Sequence, residues 1–320
     1  MEGLRPGPDR VLPQVRVSYS KQAAMQTLYV DNINEGPGDY AALFQIAHDV
    51  AAARWQAQLD FTCCTFLRQN AVAFLGGLAR MAHHNGGRLE FAWTTLQAPV
   101  ATNLAQNGFK FAFGSGRVGW NGNSIPFHAD DSAKTHEFAS YLRDRWLGRG
   151  WVNVSPALAD RIVGNVSEVY VNAFEHAASP TGITCCGQYY PKMRELKLTL
   201  VDFGMGIPTK VRTYMQGPSA AQLWTPESCM RWAFQRGTTT KPSAGSGPSG
   251  LGLDLLLSFV RLNGGKLEMF SHEGHALITP DSVKFSSCAS FFPGTLVTIS
   301  LICDEEYYCL NSELPGPTPF

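Results

Sequence analysis

The chain has 320 residues, 44% of them hydrophobic and 16% charged, the composition of an ordinary globular protein with a filled core. Lysine plus arginine equals aspartate plus glutamate at 26 each, so no net charge draws it to nucleic acid or an anionic membrane, and a charged ligand must be held locally. The longest apolar run, around Leu251–Val260, falls far short of the roughly 20 residues of a spanning helix.

The start, "MEGLRPGPDRVLPQVRVS", is polar and proline-rich without the apolar segment of a secretion signal. Eight cysteines include two adjacent pairs, Cys63–Cys64 and Cys185–Cys186, with no CxxC and no zinc-knuckle spacing. They read as reduced, mostly buried thiols of a cytoplasmic protein.

Residues 1–25 are expected to form a loose arm. "TLYVDNI" (27–33) then fits a strand and "YAALFQIAHDVAAAR" (40–54) a helix with apolar residues at helical spacing. A strand "AQLDFT" (57–62), a helix "FLRQNAVAFLGGLARMAHHNGG" (66–87), a strand "RLEFAWT" (88–94) and a helix "APVATNLAQNGF" (98–109) follow. This alternation predicts a small α/β unit over 26–113. "GSGRVGWNGNS" (114–124) has the composition of a connector, and a linker is predicted over 114–130.

The second unit, 131–305, opens with helices at "SAKTHEFASYLRDRWLG" (132–148) and "SPALADRIVGNVSEVYVNAFEHA" (155–177). In the second, Ser155 before Pro156 fits an N-cap followed by proline at the first helical position. Strands at "GITCCGQYY" (182–190) and "ELKLTLVDFG" (195–204) lead to a helix at "PESCMRWAFQRG" (226–237). A glycine-rich stretch then runs into a helix over about 251–262, and "KLEMFS" (266–271) and "GTLVTISLIC" (294–303) are the last strands. Residues 306–320 are a proline-rich tail.

Three clusters in this unit carry chemistry. In "NVSEVYVNAFEHA", Glu168 and Asn172 are four apart, hence on one helix face. A carboxylate there can orient or deprotonate water, and an amide oxygen one turn on can ligate Mg²⁺; a solvated helix face has the same pattern. In "LKLTLVDFGMGIP", an apolar strand delivers Asp202 as an acceptor, and Gly204 and Gly206 leave the backbone open to a flat ring; a plain β-turn also fits. In "SGPSGLGLDLLLSFV", Gly250 and Gly252 sit where loop becomes helix, where free N–H groups and the helix dipole suit a polyphosphate. Thr238, Thr239, Thr240 and Lys241 add hydroxyls and a cation upstream, and a flexible linker is the other reading of that stretch.

Taken in order, E-x-x-x-N-A, D-x-G-x-G-I after a strand, then G-T-T-T-K and G-L-G-L before a helix ending in N-G-G closely resemble the GHKL ATPase superfamily (gyrase, heat-shock chaperone, histidine kinase, MutL). The resemblance covers about 155–303. It implies a two-layer α/β sandwich, with a mixed, largely antiparallel sheet and helices on one face. It further implies ATP and Mg²⁺ as cofactors, with Asn172 ligating the metal and Glu168 in the place of the general base. Asp202 would accept from the adenine amino group, with Gly204, Gly206 and Ile207 shaping the base pocket. Gly250, Leu251 and Gly252 would donate N–H groups to the phosphates, and Thr238–Lys241 would lie in the lid. His176 matches a position that is often histidine in the anti-sigma-factor kinase branch, although a histidine near a helix's negative end needs no ligand.

Too little chain follows Cys303 for the lysine-bearing domain of the gyrase and MutL branches. "IAHDVAAAR" around His48 is similar to the histidine-kinase acceptor motif, yet strands follow it instead of a second long helix. The segment 59–93 resembles a STAS-type domain, the fold of anti-sigma-factor antagonists, with its loop at Thr62–Cys64 but without the Asp-Ser-Ser-Gly-like pattern. The expectation is therefore a smaller STAS-like domain preceding an ATPase domain nearest the anti-sigma-factor kinases. It would act as a slow ATPase or protein serine/threonine kinase in a regulatory switch. The resemblance implies a regulatory protein partner and is compatible with a homodimer; nothing points to membrane or nucleic acid. The alternatives are a non-catalytic ATP-gated interaction module and an atypical histidine kinase.

Overall fold

The computed structural model describes residues 25–114, 116, 122–215, 224–235 and 254–314. The first unit is built from β1 (Gln26–Tyr29), α1 (Pro37–Ala52), β2 (Gln56–Asp60), α2 (Gln69–His84) and β3 (Arg88–Phe91), with α3 (Ala98–Gln106) and α4 (Phe109–Phe113) behind them. Its strands are parallel in the order β1-β2-β3. One face of this sheet is wet, so period two is legible: Leu28, Leu59, Leu89 and Phe91 are buried while Tyr29 is exposed.

The rest surrounds a five-stranded antiparallel sheet in the order β4-β6-β7-β9-β8, and the fold is mixed α/β. Its strands are β4 (Ser124–Asp130), β6 (Ile183–Tyr190), β7 (Glu195–Asp202), β8 (Lys266–Ile278) and β9 (Val283–Ile302). The short β5 (Asn153–Val154) pairs with β10 (Tyr307–Tyr308). Helices α5 (Thr135–Tyr141), α6 (Pro156–Glu175), α7 (Ile207–Met215), α8 (Pro226–Ala233) and α9 (Asp254–Leu262) complete the unit. No helix among the described residues is long and apolar enough to cross a membrane.

Strand alternation splits the sheet into two faces. On β7, Leu196, Leu198 and Leu200 join Ile162, Val166 and Tyr170 of α6 and Phe259 of α9 in the front core. Val201 instead belongs to the back core, with Phe44 of α1 and Phe74 of α2. The unit's own helices α6 and α9 cover the front face, and α1 and α2 of the first unit cover the back. The second face is apolar at Cys186, Val201, Phe270 and Leu296, and leaving it in water would forfeit the hydrophobic term that α1 and α2 recover.

Three further segments depart from expectation. Residues 124–130, expected in a linker, are the edge strand β4, antiparallel to β6; the glycine-rich residues before it masked its alternation. The last hairpin is longer than expected, because residues 272–278 pair with residues 283–292 in a stretch where polar side chains are interspersed among apolar ones such as Ala276, Ile278 and Phe285. The tail is structured as far as residue 314: the Ser155 hydroxyl, which caps α6 by accepting from Leu158 N–H, donates to Glu313 at 2.5 Å. All eight cysteines are free and five are buried.

Close approach of α2 to the sheet depends on a Gly76-Gly77 pair. A Cβ on Gly77 would lie 2.7 Å from the Phe203 ring and 3.0 Å from Thr184 Oγ1. Gly77→Val is expected to destabilise the protein by about 1–3 kcal/mol in urea denaturation through overpacking. In an uncrowded helix interior, replacing glycine would have stabilised it.

Candidate functional site

The twenty-residue helix α6 carries the first predicted pair. Glu168 is an exposed residue, yet the surrounding protein removes enough water from its carboxyl to raise its pKa above the ordinary value. Asn172 is half-buried one turn on. Its backbone carbonyl accepts from both His176 N–H and Ala177 N–H, each at 2.9 Å, which closes the helix. His176 is the half-buried C-cap residue.

Asp202 ends β7 on the front face and is 7% exposed. Gly204 N–H donates to its Oδ1 at 2.9 Å. Burial is the largest influence and pushes its pKa up to about 7, with Gly204 and Thr295 holding back part of the rise. Asp202 lies in a transverse row, Asp130, Ile183, Asp202, Thr295 and Ser271, that crosses all five strands at one end of the sheet.

The turn after Asp202 docks on the end of α6. Met205 N–H donates to Ala177 carbonyl at 2.7 Å, and a Cβ on Gly204 would lie 2.4 Å from that same oxygen. Gly206 has φ +71°, and a Cβ there would meet the His272 ring at 2.4 Å. The sequence suggested that these glycines clear space for a ring; in the fold, their bare sides are met by Ala177 and His272. Ile207 begins α7, and its N–H donates to Ser271 Oγ at 2.8 Å.

At the other end of the α6 face, Asn165 Oδ1 accepts from Leu256 N–H at 3.0 Å, which ties the start of α9 to α6. Asn165, Glu168 and Asn172 share one face of the helix, since seven residues make nearly two turns. Along α6, then, come the start of α9, the Glu168 carboxylate, the Asn172 amide and the Asp202 turn. Gly250, Leu251 and Gly252, immediately before α9, lie outside the described residues, as do Thr238, Thr239, Thr240 and Lys241.

Sequence reasoning missed Asn165, Ser271, His272 and Thr295. Asn165 was findable, being seven residues before Asn172. The other three meet the Asp202 turn only through strand pairing and a β-bulge, where register shifts at Ser271/His272 and His272/Gly274 leave His272 with φ +52°.

The residues fit a magnesium ion by donor chemistry. Mg²⁺ takes oxygen ligands and is held through one or two protein groups together with substrate phosphates, and an amide oxygen and a carboxylate one turn apart are such groups. Among the described residues, no set of three or more His, Cys, Asp or Glu side chains gathers to cage a metal alone. His48, the other residue considered for chemistry, is exposed on α1, with Nε2 3.0 Å from the Phe291 carbonyl.

No protein-family model matches the chain, and no curated protein matches it either.

Proposed function

We propose that the protein binds Mg·ATP along α6 and belongs to the GHKL ATPases, with a STAS-like unit at its N-terminal end. The observation that carries this reading is the order of groups along one helix: the Asp202 turn held at its C-terminal end, Asn172 and Glu168 next, and the start of α9 held at Asn165. In this reading the Asp202 carboxylate accepts from the adenine amino group. The Asn172 amide oxygen would hold the metal, which supplies charge neutralisation between phosphates. Glu168, its pKa raised, orients or deprotonates the attacking hydroxyl or water. The activity is slow ATP hydrolysis or phosphotransfer to a protein hydroxyl, in a cytoplasmic regulator with a protein partner.

The test is calorimetric titration with Mg·ATP followed by an assay for ADP. Wild type is expected to bind and to turn over slowly, and Glu168→Ala to bind with turnover reduced at least tenfold, general-base effects being of order 10²–10⁴. Absence of binding in wild type removes the proposal.

One observation favours a second reading, in which nucleotide occupancy is a switch without catalysis. Phe203, the residue after Asp202, is buried in the back core against Phe74 of α2 and beside Gly77. A ligand that moved the Asp202 turn would thereby be felt in the N-terminal unit. Intact ATP binding with equal, near-zero turnover in wild type and Glu168→Ala selects this reading.

A further inference from the structure

We propose that Ser286, His275 and Glu268 form a nucleophilic site, in which Ser286 takes the acyl group of a carboxylic ester. The three side chains are joined in one line of hydrogen bonds. Ser286 Oγ lies 3.2 Å from His275 Nδ1, and His275 Nε2 lies 3.1 Å from Glu268 Oε1. A nucleophile within reach of a base that a third group orients is the arrangement that activates a hydroxyl. The carboxylate can only accept, so Nε2 carries the ring proton and Nδ1 is left to accept from the Ser286 hydroxyl. Lys266 Nζ holds the other carboxylate oxygen at 2.9 Å. Burial pulls the Glu268 pKa upward, but His275 and Lys266 outweigh it and hold the carboxyl below its ordinary value. The acid end of the line is therefore an anion facing the imidazole.

A bend in the strand makes this alignment. Glu268 and His275 are seven residues apart on β8, and seven extended residues span roughly 23 Å. The strand turns sharply at its bulge, where His272 has φ +52° and the register shifts at Ser271/His272 and His272/Gly274. His275 thereby stacks on the Phe270 ring, with centroids 4.5 Å apart, and stands opposite Ser286 in the hairpin. Bulges re-aim side chains, and residues held at unfavourable φ gather at functional sites. The side chains of Glu268 and His275 are 10% and 20% exposed, whereas Ser286 is open to water. Ser286 also lies on the part of β9 beyond residues 295–302, the stretch paired with β7. Among the described residues no strand borders that side. Backbone N–H groups alternate in direction along an antiparallel strand, so one at Ser286 or its neighbours points outward, where it can meet an oxyanion.

In the step, Ser286 Oγ attacks the ester carbonyl carbon while its proton passes to His275 Nδ1. The bond to the alcohol oxygen then breaks, and the imidazolium gives that proton to the leaving alkoxide. Water opens the acyl-serine by the same route: its proton passes to Nδ1 and then to Ser286 Oγ, and the carboxylic acid departs. Because Ser286 is exposed, the substrate class is set by the reacting ester group and not by an enclosing pocket.

The test treats the full chain with a fluorophosphonate, in which Ser286 Oγ displaces fluoride from phosphorus and the proton again goes to His275. A phosphonate is preferred to an acetyl ester because the exposed Cys63 thiol would also take up acetyl. Intact mass and peptide mapping are expected to show an adduct at Ser286 that is lost in Ser286→Ala. His275→Gln should slow labelling at least hundredfold, general-base effects being about 10²–10⁴. His275→Ala should recover labelling when free imidazole is supplied, which a merely structural histidine would not allow. Glu268→Gln should slow labelling at least tenfold and move the His275 Nε2 proton resonance upfield, since a neutral acceptor replaces a charged one. No adduct, an adduct elsewhere, equal rates in wild type and His275→Gln, or no rescue by imidazole overturns the proposal. Mg·ATP binding is measured separately, so each of these outcomes leaves the nucleotide reading untouched.

Discussion

Asp202→Asn is expected to weaken adenosine binding tenfold to hundredfold and, at pH 8, to stabilise the unliganded protein. The first effect follows from losing a buried hydrogen bond with a charged partner, worth about 1.5–3 kcal/mol. The second follows from burial, which raises the Asp202 pKa from 3.8 to about 7. A carboxyl with a raised folded-state pKa keeps its proton where the unfolded chain has released it. Its contribution is fully favourable below the unfolded value, and is lost as pH rises from about 4 through about 7. At about 1.4 kcal/mol per pKa unit, the loss by pH 8 is on the order of 4 kcal/mol. Asparagine carries no such charge, so the variant should melt with wild type at pH 4 and above it at pH 8.

The same ionisation governs binding. The carboxylate is a stronger acceptor for the amino group than the protonated acid, so wild-type affinity for adenosine should fall as pH drops from about 8 to 6. Adenosine is the better probe, since phosphates of ATP titrate nearby. A variant that binds adenosine undiminished and melts with wild type at both pH 4 and pH 8 would remove Asp202 from the pocket.

Lys197→Met is expected to cost roughly 3–5 kcal/mol of stability, measured by urea denaturation, as for loss of one partner from a buried ion pair. The Lys197 side chain is 3% exposed, with Nζ 2.6 Å from Glu35 and 3.0 Å from Glu195. Glu35 comes from the loop before α1 and also accepts from Gln69 Nε2 at 2.7 Å. Gln69 in turn accepts from the Tyr190 hydroxyl at 2.7 Å. This seam joins the N-terminal unit to the back of the sheet by directional contacts, where the neighbouring Cys186, Val201 and Leu296 only exclude water.

Methionine fills the space of lysine but leaves Glu35 charged and without its closest cation. Glu35→Gln added to Lys197→Met should therefore restore part of the loss, although alone it should destabilise. That reversal separates an uncompensated charge from a packing defect. A cost below about 1 kcal/mol for Lys197→Met, as for an exposed pair, would show the seam to be hydrated.

Much of the local structure was legible. The α6 helix begins at Ser155-Pro156 as its cap and proline foretold and carries Glu168 and Asn172 on one face. The strands of both units alternate as their sequences do. The nature of Lys197 was not legible: in "ELKLTLVD" it is one polar residue in an alternating strand, which ordinarily faces water. Only the N-terminal unit's presence behind the sheet turns that position into a buried one. The length of the last hairpin was hidden for a related reason, since residues 272–278 and 283–292 pair through backbone groups that every residue possesses.

The amino-acid sequence by itself determined most of the helices and strands, though not β4 or α7, together with the cap of α6 and the shared face of Asn165, Glu168 and Asn172, because these depend on neighbours two to four positions away. The tertiary structure alone decided that α1 and α2 cover the second face of the sheet, that Asp202 loses its water, and that Leu256 meets Asn165. Each of these joins segments tens of residues apart or more, and burial and long-range hydrogen bonding are properties of the packed chain, not of any stretch of it.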